Sequence, residues 1–134
     1  MFQPKIVKAK KSQKCKNFRK INSILSISFG YIKLISMEPG LLYAKHFKVI
    51  KQTIKKFIKK KGVLYILKFP HTPSTKKPLA VRMGKGKGAI HLWNCRVGLG
   101  ALICKIEIKN KHLGVKAMLA AKQKLPLLTK IILH

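Results

Sequence analysis

Across residues 44–61 the apolar side chains Phe47, Ile50, Ile54, Phe57 and Ile58 recur three or four positions apart, while Lys45, Lys48, Lys51, Lys55, Lys56 and Lys59 fall elsewhere around the wheel. This spacing predicts an amphipathic helix stopped by Gly62. A second helical spacing covers about 112–125, with Leu113, Ala117, Ala120, Ala121 and Leu125 inward, Lys116, Lys122 and Lys124 outward, and Pro126 as its end. Elsewhere the period shortens. Residues 21–35 mix Ile, Leu, Phe and Tyr with Ser in a strand-like, half-buried pattern, closed by the turn Glu38-Pro39-Gly40. Residues 63–69, between Gly62 and Pro70, read as a central strand. Residues 90–97 and 101–108 read as a hairpin across Gly98-Leu99-Gly100, and 127–133 as an edge strand. Residues 70–89 contain Pro70, Pro73 and Pro78 and are expected to sustain neither helix nor strand, which leaves a long loop. Strands and helices mix without βαβ alternation, so the predicted class is α+β: a single-domain, two-layer sandwich of mixed or antiparallel strands with two helices. The domain is assigned to residues 21–134. Residues 1–20 form a basic N-terminal arm with few large apolar side chains, expected to rely on a partner for order.

Charge then narrows the function. Of 134 residues, 31 are Lys or Arg and two are acidic, a formal net charge of +29. A chain of this length builds one core, and 47% hydrophobic residues argue against wholesale disorder. A free monomer with this charge repels itself, so a polyanion, nucleic acid or an anionic membrane, is the expected partner. The Lys-bearing side of the first helix has no Glu to pair with and is expected to meet phosphates. With Glu38 and Glu107 as the only carboxylates, paired-carboxylate hydrolysis, an oxygen-ligand metal site and an Asp-oriented triad are all hard to build. Cys15, Cys95 and Cys104 show neither CxxC nor finger spacing and read as reduced, partly buried thiols. No catalytic residue, metal, cofactor or small-molecule substrate is expected. Every apolar run is broken well before the ~20 residues that a membrane span needs, and the first twenty residues lack the apolar core of an export signal.

The sharpest motif is Gly84-Lys85-Gly86-Lys87-Gly88. Alternate glycines let a backbone lie close to a phosphate chain, and the intervening lysines add charge. It is not a nucleotide-hydrolysing P-loop, because the Gly-Lys-Ser/Thr ending is absent. Arg82 adds a guanidinium fork, and nearby prolines stiffen the approach. No aromatic platform of the kind that stacks single-stranded bases is evident, and Trp93 reads as a packing residue. Recognition of folded RNA through shape and backbone fits this inventory. A cationic membrane-surface protein is the alternative that the first helix alone would support.

The segment Lys76-Lys77-Pro78-Leu79-Ala80-Val81-Arg82-Met83-Gly84-Lys85-Gly86-Lys87-Gly88, followed by Trp93, resembles the signature of the ribosomal protein L-sixteen family, bacterial-type proteins of the large subunit. Gln3-Pro4-Lys5, Phe29-Gly30, Phe69-Pro70 and Ala120-Ala121-Lys122 with Lys124-Leu125-Pro126 are similar to further family positions, so nearly the whole chain is covered. The resemblance implies an α+β protein that binds large-subunit rRNA near the peptidyl transferase centre, supports subunit assembly and helps place A-site tRNA, with P-site tRNA and other large-subunit proteins as further neighbours. It implies no catalysis. On this reading the rRNA and tRNA contacts are Lys5, Lys10, Lys11, Lys76, Lys77, Arg82, Met83, Gly84, Lys85, Gly86, Lys87 and Gly88. Three departures stand out: Leu42-Tyr43 where many relatives cap the first helix with Thr or Ser, His91-Leu92 before Trp93, and the stretch 15–36. Lysine outnumbers arginine 28 to three, as an AT-rich coding sequence produces. With an N-terminus that already looks like the family's opening, this points to a mitochondrial ribosome, with a plastid or the bacterial cytoplasm as the alternative.

Overall fold

A computed structural model of the chain describes residues 2–7, 11–13, 30–84 and 86–133. Its elements run β1 (Tyr31–Ser36), β2 (Gly40–Tyr43), α1 (Ala44–Ile58), β3 (Gly62–Ile66), β4 (Thr72–Lys76), β5 (Ala89–Val97), β6 (Leu102–Ile108), α2 (Lys111–Lys122) and β7 (Thr129–Leu133). The strands form a four-stranded sheet in the order β3-β6-β1-β7 and a three-stranded sheet in the order β2-β5-β4. Every pairing is antiparallel. The predicted α+β single domain is therefore correct. The strand expected over 21–35 is seen as β1; residues 21–29 lie outside the described residues.

The period of α1 decides where the core sits. Phe47, Ile50, Ile54 and Ile58 are buried, whereas the lysines at 45, 48, 51, 55, 56 and 59 are exposed. That stripe joins Ile32 and Leu34 of β1, Ile103, Cys104 and Ile106 of β6, and Ala117, Met118 and Ala121 of α2 in one apolar cluster. Met118 was not among the predicted inward residues of α2, while Ala120 is only half-buried. Asn110 caps α2, its Oδ1 accepting the Leu113 N–H at 3.3 Å. The helix ends at Lys122, three residues before the predicted Leu125, and two turn hydrogen bonds, from Lys124 to Ala121 and from Leu125 to Lys122, follow it.

Four expectations are corrected. First, α1 closes at Ile58 rather than Lys61. Lys59 takes a positive φ of 54° while its N–H still reaches the Lys55 carbonyl at 2.8 Å. Gly62 does not cap the helix: it opens β3, where a Cβ would stand 2.6 Å from the Glu107 carbonyl oxygen of β6. Second, the strand after Gly62 is an edge and not central, because only β6 pairs with it. Its burial alternates accordingly, with Val63 and Tyr65 outward. Third, residues 72–76 of the expected loop form β4. Pro73 is tolerated there because β4 is a sheet edge, where a missing N–H leaves no ladder bond unmade. Fourth, β5 and β6 are not a hairpin: β5 pairs with β2 and β4, β6 with β1 and β3. Gly98-Leu99-Gly100 is a corner between the sheets, fixed by Gly100 N–H to the Ser36 carbonyl at 2.8 Å and Ser36 N–H to the Ala101 carbonyl at 2.9 Å. The short strand β2, running straight into α1, was not foreseen. The predicted edge strand after Pro126 is present as β7.

The start of α1, which lacks Ser or Thr, is capped from inside the helix. His46 Nδ1 accepts the Tyr43 N–H at 3.2 Å, the reciprocal half of a capping box. Burial, and then the Lys45 charge, hold the His46 pKa below its ordinary 6.5. The unfolded chain thus binds this proton more readily than the fold does. The cap's contribution is complete above pH 6.5 and is lost as pH falls through the lowered native value. Melting temperatures taken from about pH 8 to about pH 5 should fall on acidification, and His46→Gln, which caps without titrating, should flatten that part of the fall.

Candidate nucleic-acid interface

The three-stranded sheet positions the basic loop. β4 and β5 run side by side, with Lys76 opposite Ala89, and the chain between them, residues 77–88, projects from that end. Its neck is narrow: a Cβ on Gly88 would lie 2.5 Å from the Lys76 carbonyl oxygen and 2.8 Å from the Lys77 nitrogen, both backbone atoms that cannot swing aside. Gly84 and Gly86 serve a different purpose. They take φ of +109° and +77°, conformations that L side chains rarely adopt, and a Cβ on either would meet no other part of the chain within 4 Å. Lys77 folds back to donate from Nζ to the Gly84 carbonyl, and Val81 N–H closes a turn on Pro78 at 3.3 Å. Leu79, Arg82 and Met83 are left exposed at the far end.

The predicted contact residues are placed as follows. Lys76 is exposed at the end of β4, and Lys77 is half-buried in the neck. Arg82, Met83, Gly84, Gly86 and Lys87 lie along the exposed loop, and Gly88 closes it. Lys5 is exposed on the arm. Lys11 is brought to the loop itself, its Nζ donating to the Lys87 carbonyl at 3.0 Å, while Lys87 Nζ donates to the Ser12 carbonyl. Lys10 and Lys85 lie outside the described residues. Other anchors of the arm were not foreseen. Phe2 packs at 6.0 Å from the Phe47 ring beneath Lys51, Ser12 Oγ donates to the Pro73 carbonyl at 3.3 Å, and Arg96 donates to the Gln13 carbonyl at 3.0 Å. The signal for these in the sequence was Phe2, a large aromatic residue in a basic segment.

The outward face of the larger sheet holds a cation–aromatic cluster that sequence reading missed. Lys105 Nζ sits 4.0 Å from the Tyr31 ring centroid and 5.1 Å from that of Tyr65, and Tyr65 Oη donates to Glu107 at 3.3 Å. Alternation along β3 and β6 could have found it, since Tyr65 and Lys105 are register partners.

Other chemistries find little here. Cys95 and Cys104 are buried free thiols; burial raises the pKa of Cys95 and pushes that of Cys104 up to about 12, which keeps them protonated and unreactive. Cys15 lies outside the described residues. Among the described residues no three His, Cys, Asp or Glu side chains gather as metal ligands. No helix among them is long and apolar enough to cross a membrane.

Residues 4–132 match the model of the family described as ribosomal protein L16p/L10e. The chain is also similar to proteins named large ribosomal subunit protein uL16. It is 38% identical over 132 residues to that of Acinetobacter baylyi and 36% identical over 132 residues to that of Psychrobacter arcticus, covering 98% of this chain and 96% of each relative.

The loop glycines should separate by mechanism. Gly88→Ala forces two backbone segments apart and should cost about 1–3 kcal/mol of stability. Gly86→Ala meets no atom and carries only the left-handed backbone strain of about 1 kcal/mol, so its cost should be smaller. Urea midpoints of the two variants check the ranking.

Proposed function

The chain belongs to the ribosomal protein L16p/L10e family, and from that premise we propose that it is a structural constituent of the large ribosomal subunit that binds large-subunit rRNA. The observation that carries this is a match over nearly the whole chain to proteins named for that subunit, in a fold with an exposed basic loop closed at its neck by Gly88. Large-subunit RNA and neighbouring ribosomal proteins are the partners, and the role is structural rather than catalytic. Two carboxylates, each tied into the frame, suit such a role: Glu38 accepts the Leu128 N–H and Glu107 the Tyr65 hydroxyl.

The finer reading places the contacts near the peptidyl transferase centre, where the protein supports subunit assembly and helps position A-site tRNA. Arg82 and Met83 at the loop's far end, with Gly84, Lys85 and Gly86 beside them, meet tRNA or the rRNA around it. Lys5 and Lys10 on the arm, and Lys76 and Lys77 at the neck, meet rRNA phosphates. The arm 1–20 and the domain 21–134 work as one RNA-binding unit. The ribosome in question is mitochondrial, a reading supported by the 28 lysines against three arginines; a bacterial ribosome is the alternative that the bacterial relatives favour. Membrane binding has no comparable support, because the apolar stripe of α1 that would enter lipid is buried in the core.

Binding to a large-subunit rRNA transcript should be dominated by counterion release, so log K should fall steeply and linearly with log salt concentration. Arg82→Ala should reduce that slope by about one unit or less. A flat salt dependence of the wild-type protein would overturn the electrostatic reading.

A further inference from the structure

Four hydrogen bonds join the arm to the loop and its strands, and none of them is an ion pair. Lys87 Nζ donates to the Ser12 carbonyl, Lys11 Nζ to the Lys87 carbonyl, Arg96 Nη2 to the Gln13 carbonyl, and Ser12 Oγ to the Pro73 carbonyl. Residues 11–13 therefore lie across Pro73 of β4, Lys87 at the loop's exit and Arg96 of β5. Three cations are gathered here with no carboxylate among the groups they bond, an arrangement that like-charge repulsion opposes. Backbone carbonyls accept all four donors instead: Lys87 and Arg96 hold the arm by its main chain, and the arm's own Lys11 and Ser12 side chains reach back to the main chain of the loop and β4. The crossing begins at the neck, where Gly88 already brings the two stems into backbone contact, and runs past Pro73 to Arg96 further along β5. A small change in the arm's path here is levered along the whole loop.

We propose that Lys87 and Arg96 are positioning residues that strap the N-terminal arm across the neck of the loop, so that the arm's seat on RNA sets the direction in which the loop points. The proposal rests on the RNA-binding reading above and refines it. Lys87, placed among the nucleic-acid contacts by the loop's composition, acts through the Ser12 carbonyl, and Lys11 acts through the Lys87 carbonyl. Arg96 lies on β5 outside the loop and influences it through Gln13 of the arm.

Competitive acylation of lysine amines in the free full-length protein, read by mass spectrometry, tests the strap without any RNA. Lys11 and Lys87, whose ammonium groups are hydrogen-bonded, should label several-fold more slowly than exposed Lys76 and Lys109. Arg96→Met removes no lysine yet should bring both toward the surface rate, leaving Lys76 and Lys109 unchanged. Lys87→Met should release Lys11 in the same way, and Lys87→Arg, which keeps the donor, should hold it. Surface-rate labelling of Lys11 and Lys87 in the wild type, or slow labelling that Arg96→Met does not alter, would overturn the proposal. Large subunits reconstituted with the same variants carry it to function. Arg96→Met and Lys87→Met should weaken A-site tRNA binding about threefold, with Lys87→Arg close to wild type. Wild-type tRNA binding by Arg96→Met subunits would also overturn the strap. If the wild-type protein fails to bind rRNA at all, the functional reading falls while the labelling result stands by itself.

Discussion

Thirty-one cationic side chains share this fold with two carboxylates, and the search for acceptors other than carboxylates shapes much of its surface. Lys11, Lys77, Lys87 and Arg96 donate to main-chain carbonyls. Lys51 and Lys105 lie over aromatic rings. A carbonyl or a ring face is a weaker partner than a carboxylate, but it brings no negative charge with it. The cations so placed keep their full field for an outside anion, which is what a polyanion-binding surface requires. A fold that paired each lysine internally would have neutralised the property it displays.

Packing is separated from this charge. The apolar stripe of α1, the inner residues of β1 and β6 and the small residues of α2 form one core, and the α1 lysines stand on the opposite side. The loop is built outside that core, on the end of the smaller sheet, where its neck is set by backbone contact at Gly88. Its far end can therefore vary in conformation without opening the core, while a change at the neck reaches β4 and β5 directly. The basic loop thus has a firm base and a free tip.

Both helices, the α+β class, the strand character of most segments and the existence of the basic loop were legible because each rests on a local period or on a local breaker. What escaped was set by partners distant in sequence. Gly98-Leu99-Gly100 announced a turn, but a turn does not say whether the chain returns to the same sheet, and here it moves to the other one. Pro73 spoke against a strand because a sheet-edge position is not visible before the sheet is assembled. Gly62 looked like a helix stop and is instead demanded by the Glu107 carbonyl of a strand more than forty residues away. Of the candidate site, the exposed end at Arg82 and Met83 was legible from composition. The bonds from Lys87 and Lys11 were not, since a lysine's preference for a carbonyl over a phosphate depends on which main chain crosses beside it.

The lack of internal counter-charge also links folding to the proposed partner. Bringing Lys11 against Lys87 at the loop's neck, with Arg96 on the same stretch of arm further along β5, raises the electrostatic cost of the clasped state relative to one in which the arm floats free. A surrounding polyanion reverses that balance, because phosphates favour whichever conformation gathers the most positive charge. A partner that binds the clasped state better than the open one stabilises it in proportion to that difference in affinity. Low salt in the absence of RNA should therefore loosen the contact, and RNA should tighten it. On this view the strap forms in the free protein against like-charge repulsion, and the proposed partner supplies the charge that strengthens it.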